Sequence, residues 1–330
     1  MDDIIRLGTI GSGFIVDKVL EAVRDTAGIS LYAVYSRSLD RANAIKEKYG
    51  AKNIYDDLEA FLADKEINFV YIASPNSLHF AQAKLALARG KNVVCEKPIC
   101  SRLADALELT QLAKARELFL FEAVTIPYLP GYDYLRRYIG EIGRVRLVIS
   151  NYGNRSVKYD ALLAGELPNV FNPAFDGGCL LDMNFYNVYL NIILFGEPKD
   201  VHYYANLHNN GIDTSGTVIL QYDDFVSSSS ASKDAFGENF FLIEGENGKI
   251  LIHGSCNELS KVDIGCKNYQ VNYEDKIDQR WKYEINGIVS LFSRRDLDKC
   301  YQYLSLSTEV VEILEICRRT ANVVFPADSP

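Results

Sequence analysis

A chain of 330 residues is too long for one small core and comfortable for two domains. Its composition, 48% apolar and 24% charged, is ordinary for a globular protein, and no apolar run is long enough to span a bilayer. A net charge of -9 without a dense Lys/Arg block argues against nucleic acid or an anionic membrane surface as partner.

The opening Met1-Asp2-Asp3 has no basic n-region and leads at once into a strand, so no signal peptide is expected and the location is read as cytoplasmic. Ile4 to Ile10 reads as a buried strand, followed by Gly11-Ser12-Gly13 and a helix from Phe14 to about Arg24. Ile29 to Tyr35 is a second strand, Leu39 to Tyr49 a helix, Asn53 to Tyr55 a short strand and Leu58 to Ala63 a short helix. Phe69 to Ala73 is a strand ending in Ser74-Pro75-Asn76, and Leu78 to Arg89 a helix closed by Gly90. Asn92 to Cys95 is the next strand, Leu103 to Arg116 the next helix, and Phe119 to Phe121 a last short strand. Alternating strands and helices predict βαβ units and a parallel sheet.

After Glu122 the pattern changes. Val145 to Asn151 reads as a strand, followed by a Pro/Asn/Gly-rich connection through Gly177-Gly178. Leu180 to Phe195 reads as one helix. Strand-like runs follow at Val201 to Leu207, Thr214 to Tyr222, Val226 to Ser232, Phe240 to Glu244, Lys249 to His253 and Tyr269 to Tyr273. Strands in succession predict an antiparallel or mixed sheet. Thr308 to Arg319 is a final amphipathic helix, with Ser307 as its N-cap.

Gly11-Ser12-Gly13 stands between a strand and a helix, the context a dinucleotide fingerprint requires. The first glycine allows the tight turn. The second lets the backbone approach a pyrophosphate, which helix-start N–H groups favour. Val16 occupies the third glycine position, and a tight βα turn without ligand can carry the same three residues. The second strand ends in Ser36-Arg37, where a NAD-binding unit usually has Asp or Glu for the ribose 2′-OH. A hydroxyl and a guanidinium suit a 2′-phosphate, so NADP is expected, with NAD possible. An arginine stacked on adenine, or solvated at the surface, is the competing reading.

Ser74-Pro75-Asn76 is expected to border the nicotinamide ribose side of the crevice, and His79 reads as a helix-start residue rather than a catalyst. Cys95-Glu96-Lys97-Pro98 lies just past the next strand. Ligands bind beyond the carboxyl ends of parallel strands, so Lys97 is expected to face the crevice and to hold or donate a proton. Asp182 and Tyr186 stand four apart on one helix and share a face, with Tyr189 three further along. A carboxylate and a phenol aimed together into a cleft can orient and protonate a hydroxylated substrate, although a helix facing a polar interface has the same spacing. Seven cysteines without a C-x-x-C fit free thiols, and four scattered histidines (His79, His202, His208, His253) predict no metal site.

Jointly these residues resemble the Gfo/Idh/MocA oxidoreductases, NAD(P)-dependent enzymes acting mostly on sugars, polyols and related alcohols. The similarity runs over nearly the whole chain. Gly11-Ser12-Gly13-Phe14-Ile15 looks like the family's opening turn, and Ser74-Pro75-Asn76 with His79 is similar to its T/S-P-N-x-x-H loop. Glu96-Lys97-Pro98 is its hallmark, Asp182 lies in its G-G-x-x-x-D segment, and Arg318-Arg319 through Val324-Phe325-Pro326 resembles its ending. Phe121-Glu122-Ala123, together with Asp182 and Tyr186, looks like the branch containing dimeric dihydrodiol dehydrogenase and glucose-fructose oxidoreductase. Two departures stand out. Asn184 replaces the glycine of D-x-G-x-Y, and Thr125-Ile126-Pro127-Tyr128 lacks the basic residue often seen after the E-A pair.

The resemblance implies an α/β chain: a Rossmann dinucleotide-binding domain over 1–122 and an α+β domain over 123–330. The second domain would carry a large, mainly antiparallel sheet whose open face supports a homodimer or higher homo-oligomer. Gly11, Gly13, Phe14, Ile15, Ser36, Arg37, Ser74, Pro75, Asn76, His79, Glu96 and Lys97 would bind the cofactor. The Lys97-Pro98 peptide is typically cis in the similar enzymes. Lys97 and Tyr186 would serve proton transfer while a hydride moves between nicotinamide and a carbinol carbon. A cationic lysine lowers a phenol's pKa from its reference of about 10. Asp182 would hold a hydroxyl of a small sugar- or polyol-like substrate. A non-catalytic nucleotide sensor of the same fold is the alternative; such a sensor needs only the cofactor cradle, so keeping Lys97, Asp182 and Tyr186 together favours an enzyme.

Overall fold

The apolar runs of the N-terminal part pair into one six-stranded parallel sheet. Its strands are β1 (Ile5–Ile10), β2 (Ile29–Tyr35), β3 (Asn53–Tyr55), β4 (Phe69–Ile72), β5 (Asn92–Glu96) and β6 (Leu120–Ala123). The connecting helices are α1 (Phe14–Arg24), α2 (Leu39–Tyr49), α3 (Leu58–Ala63), α4 (His79–Ala88) and α5 (Leu103–Ala115). The computed structural model describes residues 4–275 and 279–328. Strand order is β3-β2-β1-β4-β5-β6, the Rossmann order. All four residues of β4 are buried, which is why an inner parallel strand is apolar throughout rather than alternating. The order reverses between β1 and β4, the switch point beyond which open α/β sheets bind ligands. There Gly11 sits at φ +116°, and a Cβ on it would lie 2.6 Å from the Ala73 carbonyl oxygen. Only glycine allows the two strand ends to approach so closely.

After β6 come α6 (Pro130–Tyr138), β7 (Val145–Gly153) and α7 (Tyr159–Leu163). A π-helical turn, Leu180–Asn184, leads into α8 (Phe185–Phe195). Then follow β8 (Asp200–Leu207), β9 (Asp213–Gln221), β10 (Val226–Ser232), β11 (Phe240–Gly245), β12 (Gly248–His253), β13 (Lys261–Cys266) and β14 (Tyr269–Glu274). With β7 they form an eight-stranded sheet ordered β14-β13-β12-β11-β7-β10-β9-β8. Neighbours are antiparallel except β7 and β10, which run parallel. Alternate residues such as Val148, Ser229, Phe241, Ile250 and Val262 are buried, whereas Leu147, Ile149, Ile219, Leu242 and Leu251 on the other face are only partly so. The expectation of a large, mainly antiparallel second sheet holds. Helices α6 and α7 and strand β13 are additions to what the sequence predicts for this part of the chain.

The last helices are α9 (Arg280–Ser293) and α10 (Leu297–Thr320). Among the described residues the chain divides into two compact units, one of 4–100, 104–124 and 279–308, the other of 101–103, 125–275 and 309–328. The segment 279–308 thus joins the unit built on the parallel sheet, although it follows the second sheet in sequence. Its Ile285, Ile288 and Leu291 are buried, and Phe292 meets Phe69 and Phe119 edge-on with ring centroids at 5.1 and 5.6 Å. Helix α10 begins eleven residues before the expected Thr308, and Ser307 lies inside it, buried, instead of capping it. The buried stripe Cys300, Leu304, Ser307, Val311, Leu314 shows why: a serine in a core position imitates a start signal.

Candidate active site

In the first unit the strand ends carry the expected loops. Gly13 caps α1 without any side-chain cap bond, and a Cβ on it would meet nothing within 4 Å. The space beside Gly13 at this helix start is open, which fits the close approach of a dinucleotide pyrophosphate. Phe14 beside it is exposed and Ile15 partly so. At the end of β2 the Ser36 N–H donates to the Tyr55 carbonyl at 3.0 Å, and its hydroxyl accepts from the Ser38 N–H at 3.2 Å. Arg37 next to it is exposed, leaving a guanidinium available to solvent or ligand.

The Lys97-Pro98 peptide is cis. The turn it forms is held on two sides. His79, fully buried at the start of α4, places one ring nitrogen 2.8 Å from the Pro98 oxygen and the other 2.9 Å from the Ser74 oxygen. It so ties the loop after β4 to the turn after β5. Burial, helped by the charge of Lys97, holds its pKa below the usual value despite both carbonyls. A neutral imidazole has one N–H, so only one of the two carbonyls receives a proton at a time. On the other side, Glu122 of β6 accepts the Ile99 N–H at 2.7 Å. Burial pushes the Glu122 carboxyl up to about 7; Ser307, the Ile99 N–H and the charge of Lys97 pull it down, and Glu96 adds to the rise.

Glu96 itself accepts the Tyr71 hydroxyl and, at 3.2 Å, the Lys97 N–H. Glu284 of α9, fully buried, has its carboxyl driven well up by burial and then by the charge of Glu96. The charge of Glu96, next to Lys97, is thus felt by two further buried carboxyl groups, Glu122 and Glu284. Glu122 is legible in sequence as a carboxylate closing an apolar strand; nothing local marks Tyr71 or Glu284.

In the second unit, every residue from Asp176 to Ile192 is buried except Asp182 and Tyr186. The glycine pair before them is demanded by contact. A Cβ on Gly177 would lie 2.8 Å from the Val170 oxygen, and one on Gly178 (φ +112°) 2.1 Å from Asp213 Oδ1. That close approach lets Asp213 accept the Leu180 N–H at 2.6 Å and the Tyr203 hydroxyl at 2.8 Å, anchoring the start of the π-helical turn. The expected single helix is thus a π-helical turn followed by α8, and such widened turns are frequent at functional sites.

Tyr186 stands 6.3 Å from the Tyr152 ring and 5.5 Å, edge-on, from Phe185. Tyr189, expected on the same stripe, is buried against Phe185. Asn184 is buried as well. Its amide donates to the Ser229 carbonyl at 2.9 Å and its oxygen accepts from Asn187 at 2.9 Å. Asn191 continues this polar seam to the Ser229 hydroxyl at 3.2 Å. The departure from glycine therefore matches the serine run of β10, and both belong to packing. Asp182 is ion-paired with Lys233, which directly follows β10. Lys233 is a residue that sequence spacing did not bring forward.

All seven cysteines are free. Among the described residues no group of three or more His, Cys, Asp or Glu could hold a metal ion, and no helix is long and apolar enough to cross a membrane.

Residues 5–123 match the GFO_IDH_MocA family, described as an oxidoreductase family with an NAD-binding Rossmann fold, and residues 136–251 match the GFO/IDH/MocA C-terminal domain. The chain is 35% identical over 327 residues to the uncharacterized oxidoreductase YgjR of Escherichia coli (strain K12), covering 98% of this chain and 99% of that one. It is 34% identical over 326 residues to scyllo-inositol 2-dehydrogenase (NADP(+)) IolU of Bacillus subtilis (strain 168), with coverage of 98% and 99%. Among solved structures, KijD10, a 3-ketoreductase from Actinomadura kijaniata in complex with NADP and TDP-benzene, superposes with a TM-score of 0.85 at 19% identity, covering 96% of this chain and 98% of that chain. The likeness to KijD10 is one of fold.

Proposed function

Because this chain belongs to the GFO/IDH/MocA family and is an NAD(P)-dependent oxidoreductase, we propose that it moves a hydride between nicotinamide and the carbinol or carbonyl carbon of a sugar, polyol or related alcohol. The observation that carries this reading is the exposure pattern around the D-x-x-x-Y segment. A carboxylate and a phenol are the two groups left accessible in an otherwise buried stretch. Of the buried stretch, the positions left accessible are the two whose side chains can hold a hydroxyl and carry a proton.

When bound, the nicotinamide supplies or accepts the hydride. Gly11 and Gly13, with the start of α1, hold the pyrophosphate, and Phe14 and Ile15 flank it. Ser36 and Arg37 take the 2′-phosphate of NADP; IolU, whose name specifies NADP(+), supports that preference. Ser74, Pro75 and Asn76 border the nicotinamide ribose together with Glu96. His79 serves cofactor binding by fixing the loop that Ser74 begins. Tyr186 gives or takes the substrate hydroxyl proton, and Lys97 is the second residue that serves proton transfer. Asp182 accepts a hydrogen bond from a further substrate hydroxyl. Residues 1–122 serve the cofactor in this reading. Residues 123–330 serve the substrate and, through the half-exposed face of the second sheet, a second copy of the chain in the cytoplasm.

A spectrophotometric panel tests it: NADP and NAD in both oxidation states, against scyllo-inositol, other inositols, aldoses, ketoses and anhydrosugars. Turnover with at least one of these, faster with NADP, is expected. Tight NADP binding with no turnover on any of them would overturn the enzyme reading in favour of a nucleotide sensor.

A further inference from the structure

We infer that Lys233 is a positioning residue for Asp182, keeping that carboxylate ionised and fixed as an acceptor for a substrate hydroxyl. The inference deepens the function proposed above and rests on its reading of Asp182. The Lys233 side chain is 4% exposed, whereas that of its partner Asp182 is 44% exposed. A lysine is almost never so buried unless it is paired, and a buried ammonium left alone is costly. Its backbone is locked on both sides: the Lys233 N–H donates to the Thr214 oxygen, and its carbonyl accepts the Ser156 N–H, each at 2.8 Å. The Phe171 ring lies 5.5 Å from the ammonium. The head is thus held between an aromatic face and a carboxylate.

Other charged and titratable groups near Lys233 are already engaged. Asp213 of β9 serves the Leu180 N–H and the Tyr203 hydroxyl. Asp234 accepts the Thr214 and Ser215 hydroxyls at 2.7 and 3.0 Å. Cys179 feels the same charges, but burial keeps its thiol protonated. The carboxylate that bonds the Lys233 ammonium and also faces outward is Asp182. A fixed cation at its back favours the ionised form, which accepts hydrogen bonds and cannot donate one. Such a group selects substrates that present a hydroxyl at this point and rejects those in which it is methylated or missing, since the bound ligand would then cover the carboxylate without giving it a hydrogen bond.

The test follows the Asp182 carboxyl directly by 13C NMR in the full-length, NADP-bound protein, assigned by its loss in Asp182→Asn. In the wild type it should titrate below an ordinary aspartate. In Lys233→Met the midpoint should rise by about one pH unit or more, and Lys233→Arg should restore it. The acid limb of kcat/KM should move the same way for the panel member with the highest turnover, scyllo-inositol being tried first. KM should rise by roughly tenfold or more with NADP affinity unchanged, a split that a purely structural defect does not produce. An Asp182 midpoint at or above the ordinary value in the wild type, or one unmoved in a folded Lys233→Met, overturns the inference. If the midpoint moves but Asp182→Asn leaves KM unchanged, the coupling stands and the substrate role of Asp182 falls.

Discussion

The Ile99 N–H donates to the Glu122 carboxylate at 2.7 Å, tying the turn that carries Lys97 to the end of β6. This carboxyl is fully buried, with its pKa pushed from 4.5 up to about 7. Its folded value is the higher one, so its contribution to stability is fully present below pH 4.5 and is lost as pH rises through about 7. The loss is on the order of 3 kcal/mol. Glu122→Gln should therefore flatten the fall in urea-unfolding free energy across that window. Parallel curves for the two proteins would remove Glu122 from the account.

Lys97→Ala should keep the fold and the affinity for NADP while turnover drops by roughly two to four orders of magnitude, the usual share of a positioned acid–base group. Single-turnover kinetics with cofactor in excess would separate the two effects. A near-normal rate would end the assignment of Lys97 to proton transfer.

Arg37 is exposed at the end of β2 beside the hydroxyl of Ser36. If it grips the 2′-phosphate, Arg37→Ala should weaken NADP binding by about 10- to 100-fold, the value of a charged hydrogen bond or two, and leave NAD binding nearly untouched. Calorimetric titration with both cofactors decides it. An unchanged preference places the arginine elsewhere.

Two glycines should respond in opposite ways. At Gly178 a Cβ would lie 2.1 Å from Asp213 Oδ1, on a backbone at φ +112°, so Gly178→Ala should cost several kcal/mol in urea unfolding, on the order of 3 or more. At Gly13 the φ is -89° and the added Cβ meets nothing, so Gly13→Ala should change stability by less than about 1 kcal/mol while weakening cofactor binding. Loss of fold in Gly13→Ala, or an unperturbed Gly178→Ala, would contradict the contacts described here.

The N-terminal sheet was legible because its signals are local. Apolar runs, glycine turns and the residues after each strand lie within a few positions of one another, and parallel topology leaves them one place to go. The same holds for the strand-after-strand pattern of the second sheet. Where local signals mislead, a tertiary role explains it. Ser307 imitates a cap because it occupies a core stripe, and Asn184 breaks a motif because β10 offers it serines and a carbonyl.

Sequence by itself determined the parallel sheet and its strand-end loops, the class of cofactor and the residues Lys97, Asp182 and Tyr186 as the ones to watch. Tertiary structure alone decided what stands behind them. Lys233 is 51 residues from Asp182, and Glu122 is 23 from Ile99. Glu284, which feels the charge of Glu96, lies on a helix that follows the whole second sheet. Periodicity reports which face of an element is apolar, but a charge buried against a distant partner leaves no period. Only the folded chain shows that Lys233 lies behind Asp182 and that Glu122 holds the turn carrying Lys97.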